Sequence, residues 1–173
     1  MLASSIQASL EGRFAGSEYG KSKKAGEDLF FVYGEETGAD VLVYRFSNLF
    51  GKWCRPNYNS VVATFCDRTA RGLPIQVNDP TVALEMIYID DVVDELLGAL
   101  RGTPNRGENG YCSVPVAYQT TVGEIAQLIR SFRDARALRS VPDMTDGCFE
   151  KKLYATYLSY LPEDAFSYPL DMH

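Results

Sequence analysis

Tyr19 and Lys23 stand four residues apart in the run SEYGKSKKAGED, and Ser5 lies fourteen residues before Tyr19. On a helix, positions i and i+4 differ by only about 40° around the axis, so both side chains project from one face. An ammonium beside a phenol favours the phenolate and lowers the tyrosine from its ordinary pKa of ~10. Such a tyrosine can donate a proton to a carbonyl, or take one from an alcohol, near neutral pH. A serine at the end of a preceding strand can hydrogen-bond the same oxygen. Ser5, Tyr19 and Lys23 therefore read as a proton-transfer set. The pair alone is weak evidence, because 11 tyrosines and six lysines give about 0.4 such spacings by chance. The competing reading is an exposed helix with a half-buried tyrosine and a solvated lysine.

Other chemistries are poorly served. Cys54, Cys66, Cys112 and Cys148 have no C-x-x-C spacing, and the only histidine, His173, is the last residue, so no His-bearing metal cluster is expected. Four reduced, mostly buried thiols are expected instead. Asp90 and Asp91 read as a helix cap rather than a carboxylate dyad. The net charge of −6 argues against nucleic acid and against an anionic membrane surface. Apolar stretches such as Val41 to Tyr44 are too short to span a bilayer, and MLASSIQASL lacks the features of a signal peptide. A cytoplasmic setting is expected.

The elements that must position these residues alternate in type. A helix is expected over 17–36, stopped by Gly38, with charges at Lys21, Lys24, Glu27 and Asp28. A buried strand follows at 39–46, then a Gly/Pro/Asn-rich loop at 47–59 and a helix near 60–71. LPIQVN (73–78), LEMIYI (84–89) and YCSV (111–114) read as strands, with the helix VVDELLGAL after the second. Thr120 or Thr121 starts a helix, with Glu124 completing a capping box. The segment 148–161 reads as helical, and SYPL as the start of a linker. At 173 residues, 46% hydrophobic and 23% charged, the chain suits one domain with a real core. Strands alternating with helices imply an α/β fold with a largely parallel sheet. No G-x-G-x-x-G turn occurs, although a doubly wound dinucleotide fold normally carries one after its first strand.

The residues Tyr19, Gly20, Ser22, Lys23 and Glu27 match a Y-G-x-S-K-x-x-x-E helix start, and Tyr44, Arg45, Asn48 and Gly51 match Y-R-x-x-N-x-x-G. With YIDDVVDELL, these resemble the extended short-chain dehydrogenase/reductases, the family of NAD(P)-dependent nucleotide-sugar epimerases, dehydratases and reductases. The match covers roughly the first hundred residues. NLFGKWCRPNYNSVVATFCDRTARGLPIQVND and FEKKLYATYLSYLPEDAFSYPL are further similar to the bifunctional reductases of bacterial capsular-polysaccharide and O-antigen synthesis, which join a reductase domain to a cupin.

The resemblance implies a partial Rossmann-type fold lacking its N-terminal dinucleotide-phosphate-binding half. It implies a reductase portion over 1–163 and, over 164–173, the start of a linker to a missing cupin. The implied reaction is NADPH- or NADH-dependent reduction of a UDP-4-keto-6-deoxy-N-acetylhexosamine. Ser5 would hydrogen-bond the C4 oxygen, Tyr19 would donate the proton, and Lys23 would hold the nicotinamide ribose. Phe46 and Ser47 would lie beside the nicotinamide; Asn48, Arg55, Asn57, Tyr58 and Asn59 would serve the UDP-sugar. Arg45, Lys52 and Arg55 also read as a solvated face. An arginine often precedes the family's counterpart of LEMIYI, and Leu84 stands there instead. No NAD or NADP is expected to bind this chain alone, which is then inactive by itself. A homodimer is expected through the helix bearing Tyr19 and Lys23, where Phe30 to Tyr33 form a consecutive apolar run that one face cannot bury; the competing reading leaves Phe31 alone exposed, without consequence. Alternative readings are a nucleotide-sugar 4-epimerase and a non-catalytic binding or assembly module.

Overall fold

The computed structural model describes residues 1–167. In chain order its elements are β1 (Leu2–Ser5), α1 (Glu18–Thr37), β2 (Val43–Phe46), β3 (Asn48–Phe50), α2 (Val61–Ala70), β4 (Ala83–Tyr88), α3 (Ile89–Leu100), β5 (Tyr118–Thr121), α4 (Val122–Ala137) and α5 (Phe149–Leu158). Short 3₁₀ turns occupy Ile6–Ser9, Gly12–Phe14 and Glu163–Ala165. Of the expected linker, residues 168–173, which include His173, lie outside the described residues.

The expectation of one core is replaced by two compact units. One comprises Met1–Ser47 with Asp90–Ala117, the other Asn48–Ile89 with the chain from Tyr118 onward. Each has its own apolar centre. In the first, Leu42, Tyr44, Ala99 and Cys112 cluster. In the second, Phe50, Phe65, Met86, Ile129, Phe132 and Leu153 are among the buried members of a larger cluster.

In the first unit β1 and β2 pair in parallel, Leu2 opposite Val43 and Ser5 opposite Phe46. The strand expected over 39–46 is thus confined to its last four residues, the stretch with a partner. YCSV contributes only an isolated bridge, Cys112 to Tyr44 and to Arg106, so the expected strand 111–114 is absent. In the second unit β3 pairs in parallel with β4, and β4 antiparallel with β5. In place of one largely parallel sheet there are two, a parallel pair in the first unit and a mixed three-stranded sheet in the second. Part of the expected loop 47–59 is strand β3. LPIQVN forms no ladder; Ile75 and Val77 pack against the core, while Pro74 has no N–H to donate.

Helix ends follow local chemistry. The Ser17 hydroxyl accepts from the Gly20 N–H at 2.9 Å, and Gly38 closes α1 in the left-handed region at φ 71°. Thr121 and Glu124 form the expected capping box on α4. Asp90 and Asp91 fall inside the first turn of α3, where they complement the helix dipole. The thiols split: Cys66 and Cys112 are buried, Cys148 is half-buried and Cys54 is exposed. Burial pushes the Cys66 thiol well above its ordinary range.

Glu27, read from sequence as one of the helix's charges, is fully buried. Arg45 reaches it with a two-pronged contact, Nε to Oε1 at 2.9 Å and Nη2 to Oε2 at 2.6 Å. Ser4 donates to Oε1 at 2.5 Å and the Tyr111 hydroxyl to Oε2 at 3.2 Å. The Arg45 guanidinium also lies over the Tyr111 ring, 3.8 Å from its centroid. Arg45 is therefore a half-buried partner and not part of a solvated face. Burial alone would raise the Glu27 carboxyl, but the hydrogen bonds from Arg45, Ser4 and Tyr111 hold it below the usual carboxylate range.

That lowered value sets a pH dependence. The stabilisation is complete above the unfolded-chain value of about 4.3 and is lost as pH falls through the folded-state value. Glu27→Gln should cost about 3 kcal/mol at pH 7, the low end for breaking a buried pair, since Arg45 keeps some solvent access. It should also weaken the acid sensitivity of the remaining stability. Urea unfolding at pH 7 and pH 4 measures both effects, and an unchanged midpoint at pH 7 would contradict the assignment.

Candidate active site

In the first unit, α1 carries Tyr19 in its opening turn and Lys23 one turn later. The Tyr19 side chain is 54% exposed. Lys23 Nζ lies 5.7 Å from the Tyr19 ring centroid and donates to the carbonyl of Ala3 at 3.2 Å. That bond ties α1 to β1 beside Ser4 and leaves the ammonium two further N–H groups. Ser5 is the last residue of β1, and its Oγ accepts from the Gln7 N–H at 3.3 Å. A hydroxyl that accepts a backbone N–H keeps its own proton free to donate outward.

Gly20 explains why these pieces lie close. A Cβ there would stand 2.3 Å from the Gln7 carbonyl oxygen, so the turn after Ser5 presses directly on the α1 backbone next to Tyr19. Gln7 reinforces the approach, its Oε1 accepting from the Ser17 hydroxyl at 2.8 Å. The structure thus joins Ser5, Tyr19 and Lys23 through one helix-to-turn contact. Phe46, at the end of β2, stacks on Tyr44 with centroids 5.7 Å apart, and Ser47 follows it. Tyr44 donates to Glu95 at 2.8 Å, and its burial raises the phenol, with Glu95 adding to the shift.

The remaining residues singled out from sequence belong to the second unit. Asn48 begins β3 and its amide donates to the Glu85 carbonyl at 3.0 Å. Arg55, Asn57, Tyr58 and Asn59 are all exposed. The Arg55 guanidinium lies 5.6 Å from the Tyr58 ring centroid. Asn57 sits at φ 55° and its N–H donates to Thr64 Oγ1 at 2.9 Å. Among the described residues no group of three His, Cys, Asp or Glu side chains is placed to hold a metal ion. None of their helices is long and apolar enough to cross a membrane.

Sequence reasoning missed Gly20 as a spacing residue and Glu27 as a buried anchor. Both lie inside the matched motif, and their shared feature is i+1 and i+8 spacing from Tyr19 on one helix.

Residues 6–110 match the model of the NAD dependent epimerase/dehydratase family. The chain is 42% identical over all 173 residues to UDP-2-acetamido-2,6-beta-L-arabino-hexul-4-ose reductase of Pseudomonas aeruginosa, spanning 44% of that protein's length. It is 36% identical to Arabidopsis thaliana UDP-glucuronate 4-epimerase 3 over 86 residues, 49% of this chain and 20% of that one. The capsular polysaccharide assembling protein CapF of Staphylococcus aureus superposes with TM-score 0.89 at 51% identity, covering 99% of this chain and 46% of CapF. Thermus thermophilus UDP-glucose 4-epimerase superposes with TM-score 0.69 at 19% identity, over 92% of this chain and 62% of that one, a likeness of fold alone. The fold is α/β and similar to that of the Rossmann-type epimerases. The chain belongs to the NAD dependent epimerase/dehydratase family.

Proposed function

We propose that residues 1–163 are the proton-transfer and substrate-side part of an NAD(P)H-dependent reductase. Its substrate is a UDP-linked 4-keto-6-deoxy-N-acetylhexosamine used in capsular-polysaccharide or O-antigen synthesis, in the cytoplasm. Residues 164–173 then lead towards a cupin domain. The observation that carries the reading is the exposed Tyr19 phenol, with the Lys23 ammonium beside its ring and Ser5 at the strand end across the Gly20 contact. The 42% identity to the Pseudomonas reductase, over 44% of that protein's length, supports a 4-keto sugar as the substrate class.

In this reading the Tyr19 hydroxyl protonates the C4 oxygen while Ser5 hydrogen-bonds it. Lys23, already fixed by the Ala3 carbonyl, keeps two further N–H groups that would hold the ribose hydroxyls of a bound dinucleotide. Phe46 and Ser47 border the nicotinamide, which supplies the hydride when bound. Asn48, Arg55, Asn57, Tyr58 and Asn59 contact the UDP-sugar, with Arg55 facing a phosphate. An epimerase would use the same three groups, as the similarity to the plant 4-epimerase illustrates. Net oxidation of NADPH separates the two, because epimerisation regenerates its cofactor.

The α1 surface supports a homodimer, with one revision. Phe31 is not the exposed member of the apolar run: its ring packs edge-on against Tyr111 at 5.4 Å. Val32 and Tyr33 are its exposed members, and with exposed Leu29 just before the run they stand at i, i+3 and i+4 and form one stripe.

Three outcomes test these assignments. In a longer chain that joins residues 1–173 to a dinucleotide-phosphate-binding half, Tyr19→Phe should lower turnover on a 4-keto sugar about 10²–10⁴-fold, with the Kd for NADPH unchanged. Near-parental turnover would return Tyr19 to a packing role. The 173-residue chain by itself should give no calorimetric signal with NADH or NADPH, since no Gly-rich turn is present to hold a pyrophosphate. Micromolar binding would overturn that. Light scattering should show a dimer that Leu29→Glu dissociates, and a strictly monomeric parent chain would exclude the α1 interface.

A further inference from the structure

In the second unit, a cavity of about 240 Å³ lies between α2 and α4, lined by Thr69, Leu73, Pro74, Ile75, Arg130 and Arg133. Thr69 is 3% exposed, and its hydroxyl has no hydrogen-bond partner among the described residues. Every side-chain oxygen or nitrogen sealed from solvent in this structure does have one. The Thr69 hydroxyl must therefore open onto the cavity it lines. A hydroxyl that opens onto a cavity can hydrogen-bond a group that enters it.

The charges point the same way. Arg130 is exposed and makes no ion pair or hydrogen bond among the described residues. Arg133 donates from Nε at 3.2 Å and Nη2 at 3.1 Å to the carboxylate of its sequence neighbour, Asp134, with both side chains more than half exposed. Such a contact is worth little and is readily exchanged. Arg68, which donates from Nε to the Pro74 carbonyl at 2.7 Å, holds the wall formed by residues 73–75. Asp67, the nearest acid on α2 in sequence, is already engaged by Arg71 at 2.8 Å. Two arginines and a threonine thus line one small cavity in a chain whose net charge is negative.

We propose that this α2–α4 cavity binds a phosphate-type oxyanion. A tetrahedral anion offers oxygens in several directions, so it can take a guanidinium fork from α4 and still accept from Thr69 on α2. The site lies wholly in the second unit and does not depend on Tyr19 or Lys23.

The test is a titration of the ¹⁵N-labelled 173-residue chain with inorganic phosphate at constant ionic strength, with sodium chloride as the reference salt. Saturating shifts are expected at the Thr69 and Ile75 amides and at Arg130 Nε–H. Arg130→Gln should weaken binding about tenfold and Thr69→Val severalfold, as expected for lost hydrogen bonds to a charged ligand. Arg130 is exposed and unpaired, so R130Q tests the site even where T69V compromises folding. Equal shifts with chloride, shifts that never saturate, or an R130Q chain that binds phosphate as tightly as the parent would each overturn the proposal. Pyrophosphate in a parallel titration assigns the source: tighter binding than phosphate supports a site for a diphosphate ester, and equal binding supports a site for free phosphate.

Discussion

The first unit is organised around a carboxylate with no access to water. Glu27 is fully buried on α1, and its four hydrogen bonds come from β1 through Ser4, from β2 through Arg45, and from Tyr111. An ionised carboxylate can occupy such a place only if its lone pairs are matched by donors, because desolvation otherwise outweighs the attraction. Here the guanidinium fork supplies charge and direction together. One turn before Glu27 on the same helix, Lys23 binds the Ala3 carbonyl, so α1 is fastened to β1 at two adjacent residues of the strand. The position of Ser5, the next residue, follows from that double attachment.

Close approach is the second constraint, and it acts at backbone level. The carbonyl of Gln7 occupies the space a Cβ at position 20 would need, so any other residue there would push the turn off the helix. The Ser17 cap and the Gln7 side chain hold the same junction by hydrogen bonds. A proton-transfer set built this way does not rely on long flexible side chains finding each other. Its spacing comes from a helix turn, a strand end and a missing methyl group.

How much of this was legible in the sequence depends on whether the cause is local. The limits of α1, its Ser17 cap, its Gly38 stop and the Thr121–Glu124 box were readable because each is settled within four residues. The Tyr19–Lys23 pair was readable for the same reason. Failures came where a distant partner decides. LPIQVN has strand composition but no ladder partner, and YCSV keeps only two isolated bridges, both at Cys112. YQTT, too polar to attract notice, becomes β5 because β4 offers an antiparallel edge. Glu27 looked like one more surface charge, since nothing within α1 reveals that Arg45, 18 residues away, waits to meet it. Phe31 was misread likewise, its cover being Tyr111.

The two anchors also divide the motif by task. Lys23 is half-buried, spends one donor on Ala3 and keeps two; Glu27 is sealed and keeps no contact with solvent. Four residues of helix therefore carry the chain from a group able to meet a ligand to one that only holds the frame. Exposure follows the same gradient at the other end, where Tyr19 stands more than half open. An exposed phenol gains nothing for the fold that a smaller polar residue would not also gain. A buried carboxylate gains nothing for a ligand it cannot reach. The helix that bears both is thus explained by neither stability nor chemistry alone: its inner face fixes the strands, and that fixed geometry gives its opening turn a defined place beside the end of β1.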